Sequence, residues 1–331
     1  MKAFGVTNNQ FDSFVEFDKT REHPTGRDLL VKIEGISINP VDIATRKKIS
    51  EELSDPKILG YDGYGVVEEV GEGVENFNVG DKVFFAGDYT RDGSYQEEEL
   101  IDERIVAHAP KKTSVEKSVA MPLVTLTASE LLFEKLHLNP AADNRKKTIL
   151  IINGAGGVGS IAIQLAHLAG LRVIATASTD EKVNWVKDLG ADLVVNHHHD
   201  LVQQIHDLGI NTVDYILGLS DNDPHWQEIV TLIKPFGTFA TITNLRESQI
   251  MDLKQKSVDF AWEWMFTKAK FKLDSMSTQG AYLEKLANGL DSGMIDSTVT
   301  KVFHGFNLEN IKKATQLVEA GHMMGKVVII G

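Results

Sequence analysis

A chain of 331 residues, 42% apolar and 24% charged, has the composition of a folded protein with a full core and, by its length, about two domains. Its net charge of −13 disfavours nucleic acid and anionic membrane as partners, and no apolar run reaches the ~20 residues that span a bilayer. The absence of cysteine excludes disulfides, a thiol nucleophile and thiolate metal sites, and the opening MKAFGVTNNQF lacks the apolar stretch of a secretory leader, so a cytoplasmic protein is expected.

Residues 1–120 read as strands and turns. DLLVKIEGISI is extended and apolar, and YGVVEEVGEGVENFNVGDKVFF carries Gly71, Gly73 and Gly80 where turns or bulges would fall. Near Thr127 the texture changes. TASELLFEKL opens with Thr127 and has Glu130 three residues on, the spacing of a capping box. Strands and helices then alternate: strand 148–153 and helix 157–169, strand 172–177 and helix 181–189, then DLVVN and DLVQQIHDLG. Strand 213–219 leads into DPHWQEIVTLIKPFG, and strand 238–243 follows. Such alternation predicts an α/β fold with a parallel sheet covered on both faces. From about Lys268 a helix, a β segment and GKVVII have no evident core of their own, so they are expected to return to the first domain.

Gly154, Gly156 and Gly159 form G-x-G-x-x-G between a predicted strand and helix. The first glycine permits the turn, the second lets backbone approach a pyrophosphate, and the third lets helix and sheet pack closely. Free N–H groups at the helix start, at Gly157 and Val158, then hold the anion. An NAD site usually ends its second strand on Asp or Glu, which binds the ribose 2′-hydroxyl. Here Ala177, Ser178 and Thr179 stand at that end, with Lys182 one helical turn beyond. That set leaves room for a 2′-phosphate and offers donors to it, so NADPH is the expected cofactor. Asp180 is the opposing feature unless it caps the next helix.

The segments GISINPVD, LGYDGYGVVEEVGEGV, VGDKVFFAGDYTRDGSYQEEELIDERIVAHAPK, PLVTLTASELLF, GAGGVGSIAIQLA and EWMFTKAKF keep their order along nearly the whole chain. Through them the chain resembles the medium-chain dehydrogenase/reductase superfamily, in its quinone-oxidoreductase, zeta-crystallin-like branch. Within that branch it is most similar to zinc-type alcohol dehydrogenase-like proteins. The resemblance implies a Rossmann doubly wound parallel sheet, residues 123–267, inserted into a GroES-like β-barrel domain made of residues 1–122 and 268–331. It also places Asn39 where metal-dependent relatives have a Cys ligand, and Tyr61 and Asp62 where they have His followed by Glu. With those ligands missing, no catalytic zinc is expected.

The activity implied is zinc-independent, NADPH-dependent transfer of hydride to a quinone or an α,β-unsaturated carbonyl. By resemblance Asn39 contacts the substrate oxygen, Asp42 helps shape the cleft, Tyr61 lines it, Thr127 approaches the nicotinamide, and His197 lies near the adenosine end of the cofactor. Each has a plainer reading: turn chemistry at Asn39 and Asp42, a packed aromatic at Tyr61, a helix cap at Thr127, and surface residues for NHHHD. Many quinone reductases have Tyr where this chain has Ala44, which weakens quinone as the substrate. An alcohol or aldehyde dehydrogenase, and a non-catalytic NADPH-binding or sensing protein, are the competing readings. Finally, Ser257–Phe266 alternates with a period of two, Val258, Phe260, Trp262 and Trp264 falling on one face. It is expected to be an edge strand that pairs with its copy in a homodimer.

Overall fold

The structure, a computed structural model, describes residues 1–246 and 249–331. Its contacts divide the chain into two units, Met1–Leu126 with Phe266–Gly331, and Thr127–Met265.

The first unit is built on a seven-stranded sheet. Its path runs Val299–His304, Lys326–Ile330, Asp28–Ile38, Asp62–Val70, Lys82–Phe85, Val106–His108, and Glu98–Asp102 also pairs with Asp28–Ile38. The pair Val299–His304 and Lys326–Ile330 is parallel and the other neighbours are antiparallel. A three-stranded sheet, Phe14–Asp18, Lys2–Val6 and Lys57–Ile58, belongs to the same unit. The long strand Asp28–Ile38 is rich in β-branched residues, which suit a pleated, packed surface. It buries Leu29, Val31 and Ile36 with Val83, Phe85, Val327 and Ile329. Val327 pairs with Ile38, so the chain's last strand completes a sheet begun near its start. The first unit thus draws on both ends of the chain, with Thr127–Met265 between them in sequence.

Three local expectations need correction. Asn39 and Pro40 do not merely turn the chain: they open a helix, Pro40–Lys47, through a capping box in which Asn39 and Asp42 satisfy each other's backbone N–H groups. Thr127 does not cap a helix. The helix Pro122–Ser129 begins five residues earlier, with Pro122 needing no N–H partner and the Leu123 N–H donating to Asp62 Oδ1 at 2.7 Å. It continues as a π-helical turn, Glu130–Lys135. The segment Ser257–Phe266 is a strand only over Asp259–Trp262. A 3₁₀ helix occupies Gln249–Lys256, Ser257 turns the chain at φ +50°, and beyond the strand Glu263 is buried while Trp264 is exposed.

The second unit is a six-stranded parallel sheet in the order Leu193–Val195, Arg172–Thr176, Thr148–Ile152, Val213–Gly218, Ile233–Thr241, Asp259–Trp262. In chain order this is 3-2-1-4-5-6, the order of doubly wound dinucleotide-binding sheets. Ile149, Leu150, Ile151 and Ile152 are all buried, as expected of a central strand covered on both faces. Asp259–Trp262 forms one edge, with Trp262 half exposed. Among the described residues no helix is long and apolar enough to cross a membrane.

Candidate functional site

Strand Thr148–Ile152 ends at Asn153, which takes the left-handed conformation at φ +67°. Its N–H donates to Thr176 Oγ1 at 2.8 Å, and the Gly154 N–H donates to the Thr176 carbonyl at 3.2 Å. Gly156 caps the helix Gly157–Leu168. A Cβ on Gly159 would lie 2.3 Å from the Asn153 carbonyl oxygen, and one on Gly156 would lie 2.8 Å from Asn153 Nδ2. The third glycine is thus required by close packing of helix on strand end, and the second by the approach of the Asn153 side chain. The first-turn N–H groups at Gly157 and Val158 fall outside the helical ladder and, with the partial positive charge of the helix end, suit a phosphate.

The neighbouring strand ends add side chains to this loop. Ala177 N–H donates to the Val195 carbonyl at 3.0 Å, so the second and third strands finish side by side. Thr179, rather than Asp180, caps the helix Asp180–Asp188, and its Oγ1 accepts the Lys182 N–H at 3.3 Å. A hydroxyl that accepts still has its own proton to donate. Ser178, Lys182 and His197 are half-buried. The His197 ring lies 4.3 Å from that of His198 and 6.1 Å from that of His225, with its Nδ1 buried and unpartnered. Burial first, then the charges of His198, His225 and Lys182, hold the His197 imidazole below the usual histidine range. The sequence-predicted residues from Gly154 to His197 therefore gather at the carboxyl ends of three adjacent strands.

In the first unit the predicted residues join a buried polar cluster. Asn39 is fully buried; its Nδ2 donates to Asp62 Oδ2 at 2.8 Å and to the Ser37 carbonyl at 3.3 Å. The Lys326 ammonium donates to Asn39 Oδ1, to the Ile38 carbonyl at 3.1 Å and to Asp62 Oδ2 at 3.3 Å. Asp42 Oδ2 accepts from the Asn39 N–H at 2.7 Å and from the Tyr95 hydroxyl at 3.0 Å, while its Oδ1 is buried without a partner. Burial pushes the Asp42 carboxyl up to about 7, against the pull of the Asn39 N–H, Lys326 and Tyr95. Tyr61 stacks on Tyr89 with ring centroids 5.9 Å apart, packs on Phe266, and sets its hydroxyl 3.4 Å from Thr45 Oγ1. Burial raises the Tyr61 phenol above its ordinary value, so it is a neutral hydroxyl. Thr127, in the second unit, is buried.

Lys326, Tyr95 and the central place of Asp62 escaped the sequence reading. The available signal was a lysine heading the otherwise apolar strand KVVII, which needs a buried counter-charge. A zinc ion does not fit this donor set, because a lysine ammonium already engages both Asn39 Oδ1 and Asp62 Oδ2. Among the described residues, no group of three or more His, Asp or Glu side chains is arranged to hold a metal ion.

Comparison with known proteins locates this arrangement. Residues 25–120 match the alcohol dehydrogenase GroES-like domain, and residues 157–272 match the zinc-binding dehydrogenase family. A zinc-type alcohol dehydrogenase-like protein of Staphylococcus epidermidis is 40% identical over 335 residues, covering 99% of each chain. A crystal structure from Rhizobium etli CFN 42, assigned provisionally as a zinc-dependent alcohol dehydrogenase, superposes with a TM-score of 0.95 at 39% identity, covering 100% of this chain and 98% of that one. An NADPH-dependent alkenal/one oxidoreductase of Arabidopsis thaliana is 28% identical over 311 residues, covering 91% of this chain and 71% of its own. Solved quinone oxidoreductases share the fold.

Proposed function

We propose that this chain, which belongs to the medium-chain dehydrogenase/reductase superfamily and to its quinone-oxidoreductase-like branch, transfers hydride from NADPH to a quinone or an α,β-unsaturated carbonyl without zinc. The observation that carries the reading is the Lys326 ammonium bound to Asn39 and Asp62, at the positions where metal-dependent relatives have ligand and neighbouring acid. Without a Lewis acid an alcohol has nothing to lower its pKa, which disfavours alcohol oxidation. A conjugated carbonyl makes a smaller demand. It accepts hydride at its β-carbon, and the charge that spreads to its oxygen needs hydrogen-bond donors and a proton from water.

When bound, the nicotinamide supplies that hydride. Gly154, Gly156, Gly157, Val158 and Gly159 hold the pyrophosphate, and Ser178, Thr179 and Lys182 take the 2′-phosphate. Asn39 and Asp42 shape the substrate cleft from a fixed, buried framework; Tyr61 lines it and Thr127 approaches the nicotinamide. Ala44 favours an enone over a quinone, and the name of the Arabidopsis relative supports both the enone and NADPH. The same reading includes a homodimer paired through the Asp259–Trp262 edge strand and a place in the cytoplasm.

The test is an NADPH-oxidation screen with enones, quinones, aldehydes and no substrate. Turnover of enones or quinones supports the reading. Turnover of aldehydes alone favours the alcohol dehydrogenase alternative, and turnover of none favours an NADPH-binding or sensing protein.

A further inference from the structure

The histidines at the end of the third strand of the parallel sheet carry an inference that rests on the NADPH reading above. Two of them, His197 and His198, follow the third strand after Asn196, and His225 ends the 3₁₀ helix Asp223–His225 before the helix Trp226–Leu232. Lys182 faces the same group from the helix Asp180–Asp188 and is close enough for its charge to act on His197. Three separate elements thus bring imidazole and ammonium groups to one place, at the end of the third strand, where the Val195 carbonyl accepts the Ala177 N–H. The carboxylate at the edge of the group, Glu228, is already engaged: its Oε2 pairs with His225 Nδ1 at 2.8 Å, and its Oε1 accepts the Leu201 N–H at 2.7 Å.

We infer that His197 and His198 form, with Lys182, a phosphomonoester subsite that takes up a proton when a 2′-phosphorylated cofactor binds. In the free protein, burial and then the charges of His198, His225 and Lys182 disfavour a positive His197 ring. Its buried, unpartnered Nδ1 offers no compensation for a positive ring. A phosphate dianion reverses that balance by supplying the missing counter-charge, so imidazolium becomes the favoured form. NADH presents a hydroxyl at the same place and exerts no such pull. Choice between the two cofactors is therefore pH-dependent: the preference for NADPH weakens as pH rises through the range in which the bound-state histidine loses its proton.

The experiment is calorimetric titration of the full chain with NADPH and with NADH, in buffers of different ionisation enthalpy between pH 7 and 8.5. There the 2′-phosphate is already dianionic and contributes no proton of its own. NADPH should take up roughly one proton more than NADH, and its advantage in affinity should fall by as much as about tenfold per pH unit. His197→Asn should abolish the extra uptake. Lys182→Ala should weaken NADPH and retain it. Tighter binding of NADPH with equal proton uptake for the two cofactors, or unchanged uptake in His197→Asn, overturns the inference and leaves the NADPH reading intact. Equal or tighter binding of NADH overturns both.

Discussion

Asp42 has one carboxylate oxygen in two hydrogen bonds and the other in none, inside a cluster closed to solvent. Its folded value near 7 stands above the ordinary 3.8, so the folded state holds the proton more tightly than the unfolded state. That contribution to stability is complete at low pH and is lost as pH rises through about 7. Asp42→Asn retains an acceptor for Asn39 and Tyr95 and does not ionise. Urea unfolding should show the variant gaining on the native protein as pH rises from 5 to 8, and parallel profiles would refute this. Asp42→Ala leaves the Asn39 N–H and the Tyr95 hydroxyl unpaired, and should cost about 2–3 kcal/mol. Lys182→Ala should weaken NADPH roughly tenfold in equilibrium binding, the loss of one charge-assisted hydrogen bond, with NADH nearly unchanged. Equal loss for both cofactors contradicts the assignment. At this scale the glycine residues were legible because packing at Gly159 leaves no room for a side chain. Lys326 was not, because its acceptors lie 264 to 288 positions away along the chain.

The π-helical turn Glu130–Lys135 and the end of the edge strand meet through side chains. Glu263 is buried 3.5 Å from Lys135 Nζ. Burial first, then the charge of Glu130, pushes the Glu263 carboxyl up to about 9 from its usual 4.5, against the pull of Lys135. The folded state again favours the proton, and stability from this group declines as pH rises from about 4.5 through 9. Glu263→Gln removes the ionisation. Its melting temperature should hold up better than the native protein's between pH 7 and 9.5, and a steeper fall in the variant would contradict the sign. The turn could not be read from sequence. Thr127 and Glu130 have a capping-box spacing, but Pro122 had already started the helix. The period of two in Ser257–Phe266 was real as a pattern, yet the strand is only Asp259–Trp262. Ser257 turns the chain before it, and burial of Glu263 breaks the alternation after it.

Across the whole molecule, the parallel sheet was legible because each helix signal lay between two apolar runs and a glycine loop marked the first crossover. The first unit was not legible in the same way. Its strands pair over long separations, as Val327 does with Ile38, and only the family resemblance named that fold in advance. The edge strand Asp259–Trp262, with Trp262 half exposed, motivates the proposed dimer, in which a second copy would cover aromatic surface and the strand's outer backbone together. Light scattering should give a dimer at micromolar concentration, and Ala261→Pro should give monomer or aggregate. A native monomer contradicts this. The central claim, zinc-independent hydride transfer to a conjugated carbonyl, is tested most directly by tracing the hydride. Chelator-treated protein is supplied with an enone and NADPH deuterated at the transferred position, and the product is read by NMR. Deuterium on the former β-carbon of a saturated ketone, formed at an unchanged rate after chelation, is the predicted result. Deuterium on the carbonyl carbon of an alcohol, or activity lost with chelation and restored by zinc, would contradict it.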